Sequence, residues 1–551
     1  MKHILRYGLA VIFACPFFTC LAQKPEFKWG RLYEKQSIFS GGNSLLGYNE
    51  NNYYTLGAIK HGWWIFGDLA PSITQNDNHH DPQTVREFSK KRGKEKLALS
   101  GDIIFVDNTF HVFASKFNSS QAKNIIYKKT INGDLSDEGD WEEFDQTFAK
   151  NSKEGSNFDF VKSEDESKIL LYRNNPMVKG SKKESVTYKM YDKQFKLLWH
   201  KKLDFDVDDK KYTILNYSVS NDGQVILLGR QDLTRKEKVR KMPSYKYLLY
   251  LYDGRKGNLE EYELSLGKLY ITDIAYTIDN DHNKLAIAGF YSNKGPGYLT
   301  GTFYQRLDIT TKKIEVEQTK EFERDFMMDH MSERKVDKNK ELANYDIRSL
   351  IRRDDGGITM IAEQYFVIVT SSTSSSNGRS VTTYTYHYHY NDIIVVNINN
   401  DGKIAWSLTI PKNQYSINDN GRMSSYSFQV YEDKMYFIFY DNADNYDKNT
   451  AKRSNKRLKI NVKQMPTPMK AVLGLAIVDY EGFLTREVLQ KSNKELKVKK
   501  GTPMFVPKLS ENMKDKLLVQ AYWGKKYKLG FLTFANNSKS KSTDATKKDD
   551  K

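Results

Sequence analysis

Cysteine is almost absent from this 551-residue sequence, and the two that occur, Cys15 and Cys20, both lie near the amino terminus. If the segment that holds them is removed, the remaining chain can form no disulfide, no thiolate metal site and no cysteine nucleophile. After that segment, no apolar run is long enough to cross a membrane as a helix. The phosphate-binding loop and the G-x-S-x-G, H-E-x-x-H and C-x-x-C motifs are missing too, so the usual sequence signals for nucleotide binding, serine hydrolysis and zinc peptidases are not found.

The amino-terminal segment has the pattern of a secretory signal peptide. Lys2 and Arg6 precede an apolar run at residues 9–18, and Ala22 is the small residue expected at a cleavage site. We therefore predict that the first 22 residues are removed and that the mature protein is secreted or periplasmic. Two alternatives stay open: acylation of Cys20, which would make a lipoprotein, and an uncleaved anchor.

Composition favours a strand-rich, basic protein. The sequence has 36 tyrosines and 29 phenylalanines, and tyrosine suits strands with one buried and one wet face. The formal net charge is +17. Residues 536–551 are almost free of apolar side chains and rich in lysine, so we predict a disordered tail.

An internal repeat organises residues 23–535. A small polar residue followed by a large apolar one opens a strand-like run, at successive intervals of 57, 57, 57, 73 and 81 residues. Ser44 extends the series before the first of these and Met504 after the last, which gives eight candidate units. The units start near residues 44, 102, 159, 216, 273, 346, 427 and 504.

Each unit is predicted to contain four strands. In the unit from Asn216 these are residues 213–220, 224–230, 246–253 and 259–266, with polar turns between them. Four-stranded units at a fixed period predict an all-β fold, a β-propeller of antiparallel blades. Eight blades are favoured, with seven as the fallback and a β-sandwich array as the competing architecture. The last unit supplies only three strands, so we predict that the N-terminal strand, within residues 27–39, closes the last blade.

The polar residues of the repeat are candidates for a ring around the channel. They open strand A, the innermost of the strands A to D, and neighbouring carboxylates there could hold a cation or act as acid and base. The structural alternative is that Asp and Asn fix the start of each strand through local backbone N–H groups. The candidate ring consists of Asp102, Asp159, Asn216, Asp273, Asp346 and Ser427.

The long connections of the predicted propeller are mostly B–C loops, which emerge on one face together with the D–A connections. Nearly all of the positive excess falls in these loops, which predicts a landing surface for an anionic partner. Solvated loops that keep the protein soluble are the alternative. The candidate basic face consists of Arg235, Lys236, Lys238, Arg240, Lys241, Lys452, Arg453, Lys456 and Arg457.

One B–C segment predicts a hairpin with two different faces. Alternation places four tyrosines on one face, suited to stacking on sugars or on a partner, and His387 and His389 on the other. Two histidines at this spacing are weak candidates for a metal site because no third ligand is evident, so no metal site is predicted. The candidate aromatic hairpin carries Tyr384, Tyr386, Tyr388 and Tyr390.

Residues 399–406, Asn-Asn-Asp-Gly-Lys-Ile-Ala-Trp, resemble the turn and tryptophan of quinoprotein-type (PQQ-like) propeller blades, and residues 193–199 resemble them faintly. This resemblance covers two blades and implies a turn and its packing. It does not imply a quinone, and no cofactor is expected. A quinone-dependent dehydrogenase is therefore only a distant alternative.

These observations predict an exported, non-catalytic binding or scaffolding propeller whose basic loop face engages an anionic glycan, envelope component or protein. The alternative is a glycan-active hydrolase or lyase with carboxylates at the channel mouth. Nucleic acid fits the charge but not the compartment, and no transmembrane segment is predicted.

Overall fold

The computed structural model describes residues 24–34, 43–61, 68–88, 91–92, 95–136, 139–152, 158–175, 183–376, 379–446 and 462–534. The predicted signal peptide and the lysine-rich tail lie outside these ranges. Within them no helix is both long and apolar enough to span a membrane.

The described residues form eight blade sheets, so the predicted all-β propeller is confirmed. Seven blades follow the strand order A, B, C, D along the chain. Their strands are Ser44–Tyr48, Asn52–His61, Asp68–Asp77 and Pro82–Glu87 in blade 1; Ala98–Val106, Thr109–Asn118, Lys123–Asn132 and Glu142–Phe148 in blade 2; Asp159–Lys162, Lys168–Asn174, Lys183–Asp192 and Leu197–Asp208 in blade 3; Tyr212–Val219, Gln224–Asp232, Tyr245–Asp253 and Asn258–Leu264 in blade 4; Tyr270–Asp279, Lys284–Ser292, Gly301–Asp308 and Lys313–Glu321 in blade 5; Tyr345–Arg352, Ile358–Ser376, Arg379–Ile398 and Ile404–Ile410 in blade 6; and Ser427–Tyr431, Lys434–Asp441, Val472–Val478 and Leu484–Gln490 in blade 7.

Blade 8 joins the two ends of the chain, as the sequence predicts. Its outer strand D is N-terminal and pairs antiparallel with strand C, Glu26 opposite Thr533 and Trp29 opposite Gly530. Trp29 covers Gly530 so closely that a Cβ there would lie 2.7 Å from the indole. The blade consists of Met504–Phe505 and Glu511–Asn512 as strand A, Lys516–Trp523 as B, Lys526–Thr533 as C, and Glu26–Trp29 with Tyr33–Glu34 as D.

Smaller elements decorate this frame. Two short helices, α1 (Arg324–His330) and α2 (Glu333–Asp337), follow blade 5, and the buried Phe326 and Met327 of α1 pack into the core that blades 5 and 6 share. The described elements outside the blade sheets are helices Arg324–His330 and Glu333–Asp337, the strand pairs Lys91–Arg92 with Glu95–Lys96 and Tyr298–Leu299 with Leu342–Ala343, strand Gln414–Ile417 beside blade 6, and the 3₁₀ turns Asp209–Lys211, Ala443–Tyr446 and Pro507–Leu509.

Adjacent blades bury apolar layers between them, and the inner strands of blades 1 and 2, 3 and 4, and 5 and 6 contact each other. The two tryptophans of the quinoprotein-like segments serve this packing. Trp199 lies against Gly254 and Trp406 against Gly482, each in the C–D turn of the next blade. The Trp406 indole also donates to the Tyr480 carbonyl at 3.1 Å. Both tryptophans therefore tie one blade to the next.

Candidate functional site

The inner strands of blades 1, 4, 5 and 6 have a β-bulge near their start, and this bulge decides which side chains occupy equivalent positions. In blades 1, 4 and 5 the bulged residues are Leu46, Leu215 and Thr272, and in blade 6 the bulged residue is Arg348. Bulges often re-aim a side chain beside a functional site. Blade 6 therefore presents a cation where these three blades present an apolar or small side chain.

The predicted ring residues do not share one environment. Asp159 accepts from the Tyr172 hydroxyl at 3.0 Å and from the backbone N–H of Phe160. Asn216 is exposed directly after its bulge. Ser427 is buried and its hydroxyl donates to the Pro507 carbonyl at 3.0 Å. The side chain of Asp102 lies outside the described residues, so no single ring is assembled from these four positions.

Two members of the ring do come together. The Asp273 carboxylate accepts from the backbone N–H groups of Ile274 and Ile347, at 2.9 and 2.6 Å, and Ile347 is the neighbour of Asp346 in blade 6. Burial raises the pKa of Asp273 to about 6, the negative charge of Asp346 adds to this rise, and the two N–H donors oppose it. Burial also raises the pKa of Asp346, against the opposing charge of Arg348.

A buried charge network lies beside these carboxylates in blade 6. The side chains of Glu363 and Lys412 are both fully buried, and Lys412 Nζ lies 2.8 Å from Glu363 Oε1. The other carboxylate oxygen, Oε2, accepts from Ser425 at 2.8 Å and lies 3.4 Å from Arg348. Lys412 also donates to the Tyr390 carbonyl at 3.0 Å. Such a pair contributes little net stability, but removing one partner is strongly destabilising because the other is left as an uncompensated buried charge.

Lys508 reaches this network from blade 8. Its Nζ donates to the Tyr390 hydroxyl at 2.6 Å, lies 3.9 Å from the ring centroid, and donates to the Asn420 carbonyl at 3.3 Å. Burial of the ammonium lowers the pKa of Lys508 to about 8; Glu363 opposes this shift, and the positive charges of Arg348 and Lys412 add to it. We call the group Asp273, Asp346, Arg348, Tyr365, Tyr390 and Lys508 the channel mouth.

The loop after blade 6 holds this arrangement in place. Gly421 has φ +59°, and a Cβ there would lie 2.3 Å from Tyr390 Cε2 and 3.2 Å from Lys508 Nζ. Asn420, also in the left-handed region at φ +56°, accepts from Lys508 with its carbonyl and from the Tyr388 hydroxyl with its side chain, the latter at 2.7 Å. One loop residue thus joins the channel mouth to the predicted hairpin.

Strands B and C of blade 6 form that hairpin, with pairing that continues out to Ser376 and Arg379. The tyrosine row, Tyr384, Tyr386, Tyr388 and Tyr390, lies on one face of strand C. Tyr384 and Tyr386 are 57% and 44% exposed, Tyr388 is half-buried and Tyr390 is buried. The rings of Tyr386 and Tyr388 lie nearly parallel with centroids 6.5 Å apart. The row therefore extends from the exposed Tyr384 to the buried Tyr390, which contacts Lys508.

The two histidines of the hairpin occupy its other face. His387 Nδ1 lies 2.7 Å from the Tyr415 hydroxyl, and Nε2 lies 3.0 Å from Thr370 Oγ1. His389 stacks on Phe366 with centroids 4.5 Å apart. In the part of the chain that the structure describes, no group of three or more potential ligands is placed to hold a metal ion.

The candidate basic face is described only in part. Its members in the B–C loop of blade 4, from Arg235 to Lys241, are all exposed to solvent. The other four, Lys452, Arg453, Lys456 and Arg457, lie outside the described residues. The role of this face as a landing surface stays a prediction.

Sequence reasoning missed the cations of the channel mouth and the buried lysine beside it. Arg348, Lys412 and Lys508 are single basic residues in separate segments, and nothing in their spacing brings them together. Glu363 gave a usable signal, because it directly follows the mostly apolar segment 358–362 of a central strand, and a charge in such a position needs a buried partner.

Comparisons with known proteins find only distant structural likeness. The WD40 domain of SCAP from fission yeast is 11% identical, over 92% of this chain and 98% of that chain, with a TM-score of 0.35. The polysaccharide lyase Uly1 is 10% identical, over 94% and 98%, with a TM-score of 0.37, and a PL25 ulvan lyase is 10% identical, over 87% and 98%, with a TM-score of 0.33. No family model matches the chain, and no curated protein does. With TM-scores this low, the strand pairing alone establishes the fold, and function rests on the residues of this chain.

Proposed function

We propose that this chain is an exported, non-catalytic binding propeller whose loop face holds an anionic glycan along the tyrosine row and at the channel mouth. One observation carries the proposal: the exposed rings of Tyr384 and Tyr386 continue through Tyr388 to a site that contains Lys508 and Arg348. Flat aromatic rings pack against the C–H faces of sugars, and nearby cations attract acidic substituents.

The geometry suits an extended ligand rather than a compact one. The exposed tyrosines alternate with residues of the other face along strand C, so their rings form a line rather than a cup. The exposed cations of the blade 4 loop, such as Arg235 and Lys238, are proposed to raise the rate of encounter through long-range attraction.

Binding of the mature protein to immobilised polygalacturonate, alginate, dextran sulfate and neutral dextran tests the proposal. We expect retention on acidic polymers and at least a tenfold loss of affinity in the double variant Tyr384→Ala with Tyr386→Ala, because exposed aromatic anchors dominate such contacts. Tyr480→Ala is the matched control, since Tyr480 is 70% exposed in a C–D turn on the opposite face. Equal retention of the double variant, or no retention of the wild type by any acidic polymer, would contradict the proposal.

A second candidate function, a glycan-active hydrolase or lyase, is favoured by the pair Asp273 and Asp346. Two neighbouring carboxylates of which one has a pKa near 6 suit acid and base roles. Release of reducing ends, or of unsaturated uronates seen by ultraviolet absorbance, from the same polymers tests it. Activity that disappears in Asp346→Asn would replace the binding proposal by this one.

A further inference from the structure

We propose that Arg348 and Lys508 form a subsite for one anionic substituent, a carboxylate or a sulfate, of the glycan held by the tyrosine row. This inference rests on the proposed function and names the part of the ligand that the channel mouth recognises.

The first reason is the set of hydrogen-bond partners that Lys508 has. Its two hydrogen bonds go to uncharged oxygens, the Tyr390 hydroxyl and the Asn420 carbonyl. Among the described residues, no carboxylate lies within salt-bridge distance of its ammonium. An ammonium has three donors, so one remains for a ligand. The Lys508 side chain is also accessible to solvent.

The second reason is the set of contacts that the Arg348 guanidinium makes. Its guanidinium contacts Glu363 through one terminal nitrogen at 3.4 Å and Asp346 at 3.8 Å. Glu363 has a closer partner in Lys412, at 2.8 Å. A guanidinium has five N–H donors in a planar fork, which suits two-point contact with a carboxylate or sulfate.

The balance of charge is the third reason. Charges of both signs act on the Lys508 ammonium: Glu363 and Asp419 favour its charged form, and Arg348 and Lys412 oppose it. Burial is the largest cause of the lowered pKa of Lys508, and repulsion by the positive charges of Arg348 and Lys412 adds to it. An anion bound beside Lys508 relieves this repulsion and raises the pKa of the ammonium.

The aromatic rings around the proposed subsite position the sugar ring as well as its acidic group. The rings of Tyr365 and Tyr390 lie 4.6 Å apart, with Arg348 5.4 Å from the first and Lys508 3.9 Å from the second. A sugar unit that extends the line of the tyrosine row brings its acidic group toward Arg348 and Lys508.

The experiment is titration calorimetry of the mature protein with a hexameric galacturonate oligosaccharide, its methyl ester, and a sulfated galactan oligosaccharide. We expect Lys508→Gln to lower affinity for the acid about tenfold and to leave the ester unchanged, since one charge-assisted hydrogen bond is lost. Lys508→Arg keeps the charge and retains the preference for the acid. Lys514→Gln, an exposed lysine in the A–B turn of the same blade, is the control.

A second measurement, of proton uptake, uses the wild-type protein and so does not depend on whether the variant folds. Near the Lys508 pKa of about 8, binding of the acid should take up a proton in wild type, measured as a heat that depends on the ionisation enthalpy of the buffer. If binding takes up no proton, or if Lys508→Gln keeps the preference for acid over ester, the subsite proposal is wrong. The proposed binding along the tyrosine row would still stand. No binding of acid, ester or sulfated oligosaccharide by wild type overturns the proposed function itself. The ratio of acid to sulfate affinity states which anion the subsite prefers.

Discussion

Replacing His80 by glutamine should make the protein lose less stability in acid than wild type does. His80 is 2% exposed in blade 1, with Nδ1 2.8 Å from the Tyr53 hydroxyl and its ring against Phe531 of blade 8. Burial lowers the pKa of His80 to about 4 from an ordinary 6.5. The folded protein therefore keeps this ring neutral while an unfolded chain takes up a proton.

The sign and the size follow from this difference in pKa. Because the folded pKa is depressed, the stability is fully present above pH 6.5 and is lost as pH falls toward about 4. One pKa unit corresponds to about 1.4 kcal/mol, so the loss is about 2 kcal/mol at pH 5 and about 3 kcal/mol at pH 4 and below. His111, 7% exposed and likewise lowered by burial to about 4, contributes a similar loss.

Urea unfolding followed by tryptophan fluorescence, at pH 7.5 and pH 5, measures the effect. Glutamine lowers stability at both pH values, so the informative quantity is the difference between them, which should shrink by about 2 kcal/mol in His80→Gln. His79→Gln, an exposed neighbour, should behave as wild type. If His80→Gln loses as much stability between the two pH values as wild type, the reasoning is refuted.

Three further predictions concern the loop beside the channel mouth, the buried Glu363–Lys412 pair and blade 8. Gly421→Ala places a Cβ 2.3 Å from Tyr390 at φ +59°, so thermal unfolding should show a loss of about 1–2 kcal/mol together with weaker glycan binding; unchanged binding would show that this contact does not shape the site. Lys412→Met leaves the buried Glu363 without its closest cation and should cost about 3–5 kcal/mol in urea unfolding, whereas the double variant with Glu363→Gln should recover part of it; no recovery would argue against a charge effect. Trp29→Ala removes the indole that covers strand C of blade 8 and should lower the free energy of unfolding by about 2 kcal/mol. An unchanged urea midpoint would show that the N-terminal strand does not stabilise blade 8 through this contact.

Much of the fold was predictable because each blade repeats the same local chemistry. In blade 4 the predicted strand bounds lie within two residues of the observed ones, since polar turns and alternating apolar residues are visible in the sequence. The closing N-terminal strand was predictable because the last unit lacked a fourth strand and a strand-like segment was left over.

The site was less predictable because it depends on register and on ring closure. In blade 5, Asp273 directly follows the bulged residue, and in blade 6 Ser349 does. Asp346 therefore lies three residues before the position that corresponds to Asp273, although the repeat spacing aligns the two aspartates. Both strands have one bulged residue, so the offset arises because the small-polar-then-apolar pattern of the repeat occurs at a different position in blade 6. Lys508 and Tyr390 meet across 118 residues of chain, which only the closed ring makes adjacent.

The pairing of Glu26–Trp29 with strand C of blade 8 has a consequence for the order of folding. Among the described residues, the earliest strand of the chain pairs with the latest one, so blade 8 is completed only after both have been synthesised. Bringing together two strands so far apart in the chain has an entropic cost that slows the step. Until it occurs, the unpaired edges of blade 8 can pair with other chains. Refolding from urea should therefore end in a slow phase that reports on blade 8, while the blades in the middle of the chain form early.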